Sequence, residues 1–321
     1  MTSVMGPVGG GGPVGTDGSL RDAAEEADVH VVVGVDASKN ARRALAWAMD
    51  LAEQSGGDLR VVTVVPLPSA TSPWSIWSML REISADERLA VHRQASAVVA
   101  EVVAGRERPL VASVVVEVHI GEAAHVLIDT VGADDHLVVG TRGSGPVQRA
   151  LLGSVSSKVV HLAHCPVTVV PLGAGVNTWR GPVVVGADGS SDSQRALRYG
   201  AQRATQAAVP LQVLHAWSLF EVPAPPSPPG VTPPLETYEA IVRERLTRQV
   251  LAALGADTGA ELVLRHSPPA PALVAASGGA TEVVVGSRGR GGLPGLVLGS
   301  VSTQLLHHAG CPVTVVRTPS T

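Results

Sequence analysis

Aromatic residues are scarce in this chain: they make up 2% of its 321 residues, although 45% of the residues are hydrophobic. Long apolar runs are missing too, since no segment approaches the roughly 18 residues that a membrane span requires. No block of basic residues is interleaved with aromatics, and 24 Lys and Arg stand against 28 Asp and Glu, for a formal net charge of -4. We therefore expect neither a membrane protein nor a nucleic-acid-binding protein.

Cysteine is nearly absent, and its two occurrences lie at matching places. Cys165 stands in His164-Cys165-Pro166 and Cys311 in Gly310-Cys311-Pro312, which identifies them as repeat positions before any disulfide is considered. Residues 1–28 contain no cationic region followed by an apolar stretch, so no targeting segment is indicated. We expect a cytoplasmic protein whose residues 1–28 form a flexible Gly-rich tail.

The residues that are present form a tandem repeat. The segment VVVGVDAS from Val31 to Ser38 aligns with VVVGADGS from Val183 to Ser190, an offset of 152 residues. Further along the chain the offset is 146 residues, both between the glycine motifs described below and between the two cysteines. A chain of this length holds two cores of ordinary size. We expect one domain at residues 29–172, a linker at 173–181, a second domain at 182–317 and a tail at 318–321.

Each copy alternates short β-branched runs with helical patterns. Five such runs per copy predict a parallel sheet of five strands flanked by helices. Ser38 and Ser190 stand where helix N-caps are expected. Two long Pro-rich loops, Pro66 to Pro73 and Pro223 to Pro234, follow the second strands, and such loops are uncommon unless functional. The predicted strands begin near Val31, Leu59, Ser113, His136 and Val167, and again near Val183, Leu211, Glu261, Glu282 and Val313.

The strongest functional signal follows the fourth strand of each copy. Gly140-Thr141-Arg142-Gly143 is followed by nine residues and then Gly153-Ser154, and Gly286-Ser287-Arg288-Gly289 is followed by nine residues and Gly299-Ser300. Glycines at the end of a strand let backbone amides approach a ligand, and the N-terminus of a helix favours an anion. The motif therefore predicts a phosphate site in each copy.

Two further residue pairs leave their roles open. Asp36 and Asp188 end the first strands, where ligands of open α/β sheets bind. Each carboxylate suits a ribose hydroxyl or a metal attached to phosphate, and each equally suits a helix cap. Arg142 and Arg288 lie in the glycine loops, where contact with phosphate and simple solvation are both compatible with the sequence.

The glycine motif, together with a Val-Gly-x-Asp first strand, resembles the ATP-binding branch of the universal stress protein family, and the resemblance extends from Val29 to Arg317. It implies two tandem Rossmann-like, adenine nucleotide alpha hydrolase-like domains that bind ATP, with or without Mg²⁺. It also implies pairing through the fifth strands, either within the chain or in a homo-oligomer. The implied nucleotide-binding residues are Gly34, Val35, Asp36, Val64, Val139, Gly140, Arg142, Gly143, Gly153, Ser154, Val155, Ser156, Gly186, Ala187, Asp188, Ala216, Val285, Gly286, Arg288, Gly289, Gly299, Ser300, Val301 and Ser302.

The copies differ before their third helices, where Ile120-Gly121-Glu122-Ala123 corresponds to Ser267-Pro268-Pro269-Ala270. We expect both to bind nucleotide, with unequal affinity. No catalytic set is indicated, because neither glycine loop contains a lysine to neutralise a transferring phosphoryl group. The leading interpretation is a nucleotide-responsive stress or regulatory protein. The alternatives are a slow ATPase or nucleotidyl or phosphoryl transferase of related fold, and an interaction scaffold without nucleotide.

Overall fold

The computed structural model describes residues 30–36, 38–66, 84–107, 109–141, 152–172, 181–228, 230–256, 258–291 and 298–317. The strands are β1 Val31–Gly34, β2 Leu59–Pro66, β3 Val114–Gly121, β4 His136–Gly140, β5 Val167–Val170, β6 Val183–Gly186, β7 Leu211–Trp217, β8 Glu261–His266, β9 Glu282–Gly286 and β10 Val313–Val316. The helices are α1 Lys39–Ser55, α2 Ala85–Ala104, α3 Ala123–Asp129, α4 Ser154–Leu162, α5 Ser191–Ala207, α6 Leu235–Leu254, α7 Pro269–Ser277 and α8 Ser300–His308, with a 3-10 helix at Leu219–Glu221.

All ten strands form one sheet, in the order β3-β2-β1-β4-β5-β10-β9-β6-β7-β8. Within each half every pairing is parallel, and helices alternate with the strands, so the predicted fold class is confirmed. The halves meet where β5 and β10 run antiparallel, with Thr168 opposite Thr314. Pairing of the fifth strands within one chain is thus the arrangement in this structure.

The sequence explains why these elements form. β1 and β6 are runs of three valines that are at most 1% exposed, because a parallel sheet covered by helices buries both faces. The predicted N-caps are confirmed: the Ser38 hydroxyl accepts a hydrogen bond from the Ala41 amide, and the Ser190 hydroxyl accepts one from the Ser193 amide. Among the described helices, none is both long and apolar enough to cross a membrane.

The strand order places the candidate site. β1 pairs with β2 on one side and β4 on the other, and β6 likewise lies between β7 and β9. Chain order reverses at β1 and at β6, and open α/β sheets bind ligands at such a point, beyond the carboxyl ends of the strands. Each half therefore has one crevice, and the glycine motifs follow the strands that border it.

Polar side chains are buried at the seam between the halves. His136 at the start of β4 contacts the Thr168 hydroxyl through Nε2 at 2.6 Å and the Tyr199 hydroxyl through Nδ1 at 2.7 Å. Thr168 in turn contacts Thr314, whose hydroxyl donates to Glu282 at the start of β9. Two matching positions of the repeat, His136 and Glu282, thus lie at opposite ends of one hydrogen-bonded chain.

Burial controls the ionisation of this chain. Desolvation lowers the pKa of His136 to about 3, and the charge of Arg203 acts in the same direction, so the imidazole is neutral. Desolvation raises the pKa of Glu282, against the opposing effect of Arg203, whose Nε lies 3.6 Å from the Glu282 carboxylate. The seam is therefore polar and buried, and a continuous chain of hydrogen bonds runs from His136 to Glu282.

Candidate functional site

A cavity of about 1260 Å³ opens at the carboxyl ends of β6, β7 and β9. Ligand pockets for small molecules are typically about 300 to 1,000 Å³, so this one has room for a nucleotide. The structure brings all the residues that the sequence singled out in the second half into its lining. They are Gly186, Ala187, Asp188, Ala216, Val285, Gly286, Arg288, Gly289, Gly299, Ser300, Val301 and Ser302.

Asp188 fixes two loops of this cavity at once. One carboxylate oxygen accepts a hydrogen bond from the Ser190 amide at 2.9 Å, and the other accepts one from the Arg290 amide at 2.8 Å. Asp36 repeats the first of these contacts with the Ser38 amide at 2.9 Å. In both halves the aspartate therefore bonds the amide of the N-cap serine and does not itself cap the helix, and contact with a ligand stays a prediction.

Asp192, which sequence reasoning missed, forms hydrogen bonds to the glycine loop that follows β9. It is buried at 3% exposure, and its carboxylate accepts hydrogen bonds from the Ser287 hydroxyl at 2.7 Å and the Arg288 amide at 3.1 Å. The matching residue of the first half is Asn40, whose side-chain amide lies 3.4 Å from the Thr141 hydroxyl. From sequence, Asp192 looks only like an acid in the first turn of a helix.

The glycines that end β4 and β9 allow a helix to approach the sheet. A Cβ at Gly286 would lie 2.7 Å from the Cβ of Asp192 and 2.8 Å from its carbonyl carbon. A Cβ at Gly140 would similarly lie 3.0 Å from the Cβ of Asn40. These two glycines therefore serve the packing of α5 and α1 against the strand ends, which brings the helix and the glycine loop together.

The N-terminus of α8 lines the C-terminal cavity, and that of α4 holds the matching position in the repeat. Their N-caps are Gly153 and Gly299, which have no side chain to bond the first-turn amides, and Ser154 and Ser300 are exposed. Uncapped amides and the helix dipole make such a terminus suitable for a phosphate.

Ser156 and Ser302 anchor these two helices. The Ser156 hydroxyl donates to the Gly140 carbonyl and the Ser302 hydroxyl to the Gly286 carbonyl, both at 2.8 Å. Val155 and Val301, one residue earlier, are half-buried and pack against the main core. The hydroxyls expected beside a phosphate thus bind the strand ends in this structure.

The opposite wall of the C-terminal cavity is apolar and aromatic. Ala216 lies on β7 beside Trp217, whose ring centroid is 4.7 Å from that of His266 on β8. His215 contacts the Ala187 carbonyl through Nδ1 at 2.6 Å. Sequence reasoning missed His215, Trp217 and His266, although all three fall at the carboxyl ends of predicted strands, where ligand sites gather.

The described part of the first half encloses a smaller cavity of about 230 Å³. Val35, Asp36 and Val64 line it, with Thr63, whose hydroxyl donates to the Val35 carbonyl at 3.1 Å. Arg142 and Gly143 lie outside the described residues. The remaining predicted residues, Gly34, Val139, Gly140, Gly153, Ser154, Val155 and Ser156, end or follow β1 and β4 at the same edge of the sheet.

The charges at the two crevices differ. Arg288 and Arg290 line the C-terminal cavity, and burial together with the charge of Arg288 lowers the pKa of Arg317 nearby. In the first half Glu122 lies at the start of α3. Burial raises the pKa of Glu122, but its hydrogen bond to Lys158, at 3.3 Å, helps bring that pKa below its usual value.

Metal and thiol chemistry have little support in the described part of the chain. No group of three or more His, Cys, Asp or Glu side chains there could hold a metal ion. Cys165 and Cys311 are buried and free, and burial raises the pKa of each thiol to about 12, so neither is a ready nucleophile.

Comparison with known proteins gives consistent matches. The model of the universal stress protein family matches residues 29–171 and 180–317. A universal stress protein of Mycobacterium tuberculosis is 36% identical over 301 residues, covering 89% of this chain and 96% of the relative. A solved universal stress protein from Archaeoglobus fulgidus covers 91% of this chain and 99% of its own, at a TM-score of 0.59 and 22% identity. A shorter universal stress protein solved in complex with cAMP covers 44% of this chain and 96% of its own, at a TM-score of 0.32 and 24% identity.

Proposed function

This chain belongs to the universal stress protein family, and on that premise we propose that each of its halves binds ATP and that the protein works as a nucleotide-responsive regulator. The observation that carries the proposal is the lining of the C-terminal cavity. An uncapped helix N-terminus and two arginines lie at one end, and an apolar wall around Ala216 lies at the other. A nucleotide has this same division, with an anionic end and a flat apolar base.

A divalent ion would enter with the phosphates. Magnesium is usually held by one or two carboxylates together with substrate phosphates and water. Asp36 and Asp188 are the carboxylates that border the first strands, so they are the residues that would hold it. The ion would neutralise part of the phosphate charge.

We propose binding without efficient turnover. The segments from Gly140 to Ser154 and from Gly286 to Ser300 contain no lysine, and phosphoryl transfer depends on positioned positive charge as well as on a placed nucleophile. Steady-state phosphate release above that of a Gly143→Val, Gly289→Val double variant would instead favour the slow ATPase.

The binding test uses Gly289→Val and its repeat counterpart Gly143→Val. A Cβ at Gly289 would lie 2.5 Å from the Asp188 carboxylate, so valine displaces the contact that holds the loop. We expect calorimetric titration with ATP to find two sites in the unaltered chain and one in each variant. Gly279→Val is the matched control, because Gly279 lies outside the cavity lining and no atom of the described residues lies within 4 Å of its added Cβ. Absence of ATP binding in the unaltered chain would refute the proposal and favour the scaffold.

The regulatory part of the proposal concerns the segment that borders the cavity mouth. Ser218 and Glu221 line the cavity, whereas the Phe220 side chain between them is fully exposed and the segment continues into a Pro-rich loop. We expect ATP to slow hydrogen exchange at the amides of residues 218–222, because binding selects the conformations that close on the nucleotide. The α1 amides are the internal reference, and unchanged exchange at residues 218–222 would contradict this role.

A further inference from the structure

We propose that the two sites select different nucleotides: Arg290 makes the C-terminal site selective for polyphosphates, and the N-terminal site, which lacks this arginine, discriminates little between ATP and AMP. The inference rests on the proposed nucleotide binding and adds to it a ligand class for each half. Its evidence is the placement of Arg290 and the residues that the repeat puts at the matching positions.

Arg290 is held at the anionic end of the cavity. Its backbone amide donates to Asp188 at 2.8 Å, and the residue lines the cavity together with Arg288. No ion pair to a carboxylate involves Arg288 or Arg290 within the described residues. Two guanidinium groups are therefore available to phosphate oxygens, which they bind through charge-assisted, often bidentate hydrogen bonds.

Gly189 makes room for the Arg290 side chain. Its φ is +83°, and a Cβ there would lie 2.3 Å from Arg290 Nη2 and 2.5 Å from Gln249 Nε2. The guanidinium therefore lies across the backbone of the loop that follows β6. In the first half the residue that matches Gly189 is Ala37 and the residue that matches Arg290 is Ser144. The glycine occurs in the half that carries the arginine, and the alanine occurs in the half that does not.

One further position adds to the same difference in charge. Arg317, whose Nη2 donates to the Val160 carbonyl at 3.1 Å, lies near Arg288, and burial together with the charge of Arg288 lowers the pKa of Arg317. Its match in the first half is Pro171. Among the described residues, the C-terminal crevice thus gathers more positive charge than the N-terminal one, and a longer phosphate chain neutralises more of it.

The experiment measures ATP and AMP binding by calorimetry for the unaltered chain and for Arg290→Ser, which places the first-half residue in the second half. We expect Arg290→Ser to weaken ATP binding at one of the two sites by about 10- to 100-fold, the effect of one charged hydrogen bond, and AMP binding at that site far less. Arg290→Lys keeps the positive charge but loses the planar guanidinium that binds two phosphate oxygens at once. Its ATP affinity should therefore lie between those of the unaltered chain and Arg290→Ser. Arg248→Ser is the matched control, since Arg248 is an exposed cation on α6.

The reciprocal change tests the same inference by adding the arginine to the first half. The double variant Ala37→Gly, Ser144→Arg should raise the ratio of ATP to AMP affinity at the other site. If the unaltered chain binds neither nucleotide, the proposed function itself fails. If both sites bind ATP and AMP, and Arg290→Ser weakens both nucleotides equally or neither, the proposed function stands and the assignment of Arg290 is overturned.

Discussion

Single residues of the repeat have acquired different chemistry in the two halves, and His136 is the clearest case. Its imidazole is buried at the seam, hydrogen-bonded to Thr168 and Tyr199, while the matching position carries the carboxyl of Glu282. A neutral His136 that accepts from Tyr199 and donates to Thr168 orients the following hydroxyls towards the Glu282 carboxyl group. The folded state therefore depends on the imidazole remaining without charge.

We predict that replacing His136 by glutamine changes how stability depends on pH. The pKa of His136 is lowered to about 3 in the folded chain, whereas an unfolded histidine takes up a proton near pH 6.5. Between these values the unfolded state binds the extra proton, so this group costs the folded state about 1.4 kcal/mol for each pH unit below about 6.5. Glutamine keeps a donor and an acceptor and has no such proton.

Urea unfolding at several pH values provides the measurement for His136. The unfolding free energy of His136→Gln minus that of the unaltered chain should rise as the pH falls from about 6 to about 4. His164→Gln is the matched control, because the His164 side chain is exposed. A constant difference across this range would show that His136 does not stay neutral in the folded chain. Glu282, with its raised pKa, is present in both proteins, so its contribution to the pH dependence cancels in the difference between their unfolding free energies.

At the scale of elements, the contact between α5 and the end of β9 brings together the parts of the C-terminal site. Asp192 in the first turn of α5 bonds the loop that follows β9, and Gly286 leaves no side chain between helix and strand. Close approach of two backbones therefore positions the glycine loop.

We predict that Gly286→Ala destabilises the protein by about 1 to 3 kcal/mol, the usual cost of overpacking a tight contact. The added Cβ would meet backbone as well as side-chain atoms of Asp192, which cannot move without shifting α5. Gly279→Ala, where no atom of the described residues lies within 4 Å of the added Cβ, should change stability by no more than about 0.5 kcal/mol. Equal unfolding free energies for the two variants, measured in urea, would argue against this packing role.

The sequence predicts elements well here and contacts between elements less well. Valine runs, capping serines and the two-fold repeat are local signals, so the strands, the N-caps and the fold class could be predicted. The role of Asp192 and the chain from His136 to Glu282 depend on which segments meet after folding. His136 and Thr168 are 32 residues apart, and Ser287 and Asp192 are 95 apart, so no local pattern indicates either contact.

At the scale of the whole molecule, the described residues of the two halves form one sheet of ten strands. The β5–β10 pairing joins the halves through Thr168 and Thr314, and the buried chain along it begins with a histidine on one side and ends with a carboxylate on the other. The halves are thus complementary at the seam. The proposed difference between their sites would let one chain respond to more than one nucleotide.

The central claim is that both halves bind nucleotide, and it is tested most directly by counting what the protein carries. The chain is purified without added nucleotide, any bound small molecule is released by acid precipitation, and the released molecules are identified and counted by chromatography and mass. We predict adenine nucleotide in an amount approaching two per chain, with ATP restoring that number after the protein has been stripped. A protein that is empty when purified and binds no added ATP or AMP would contradict the account.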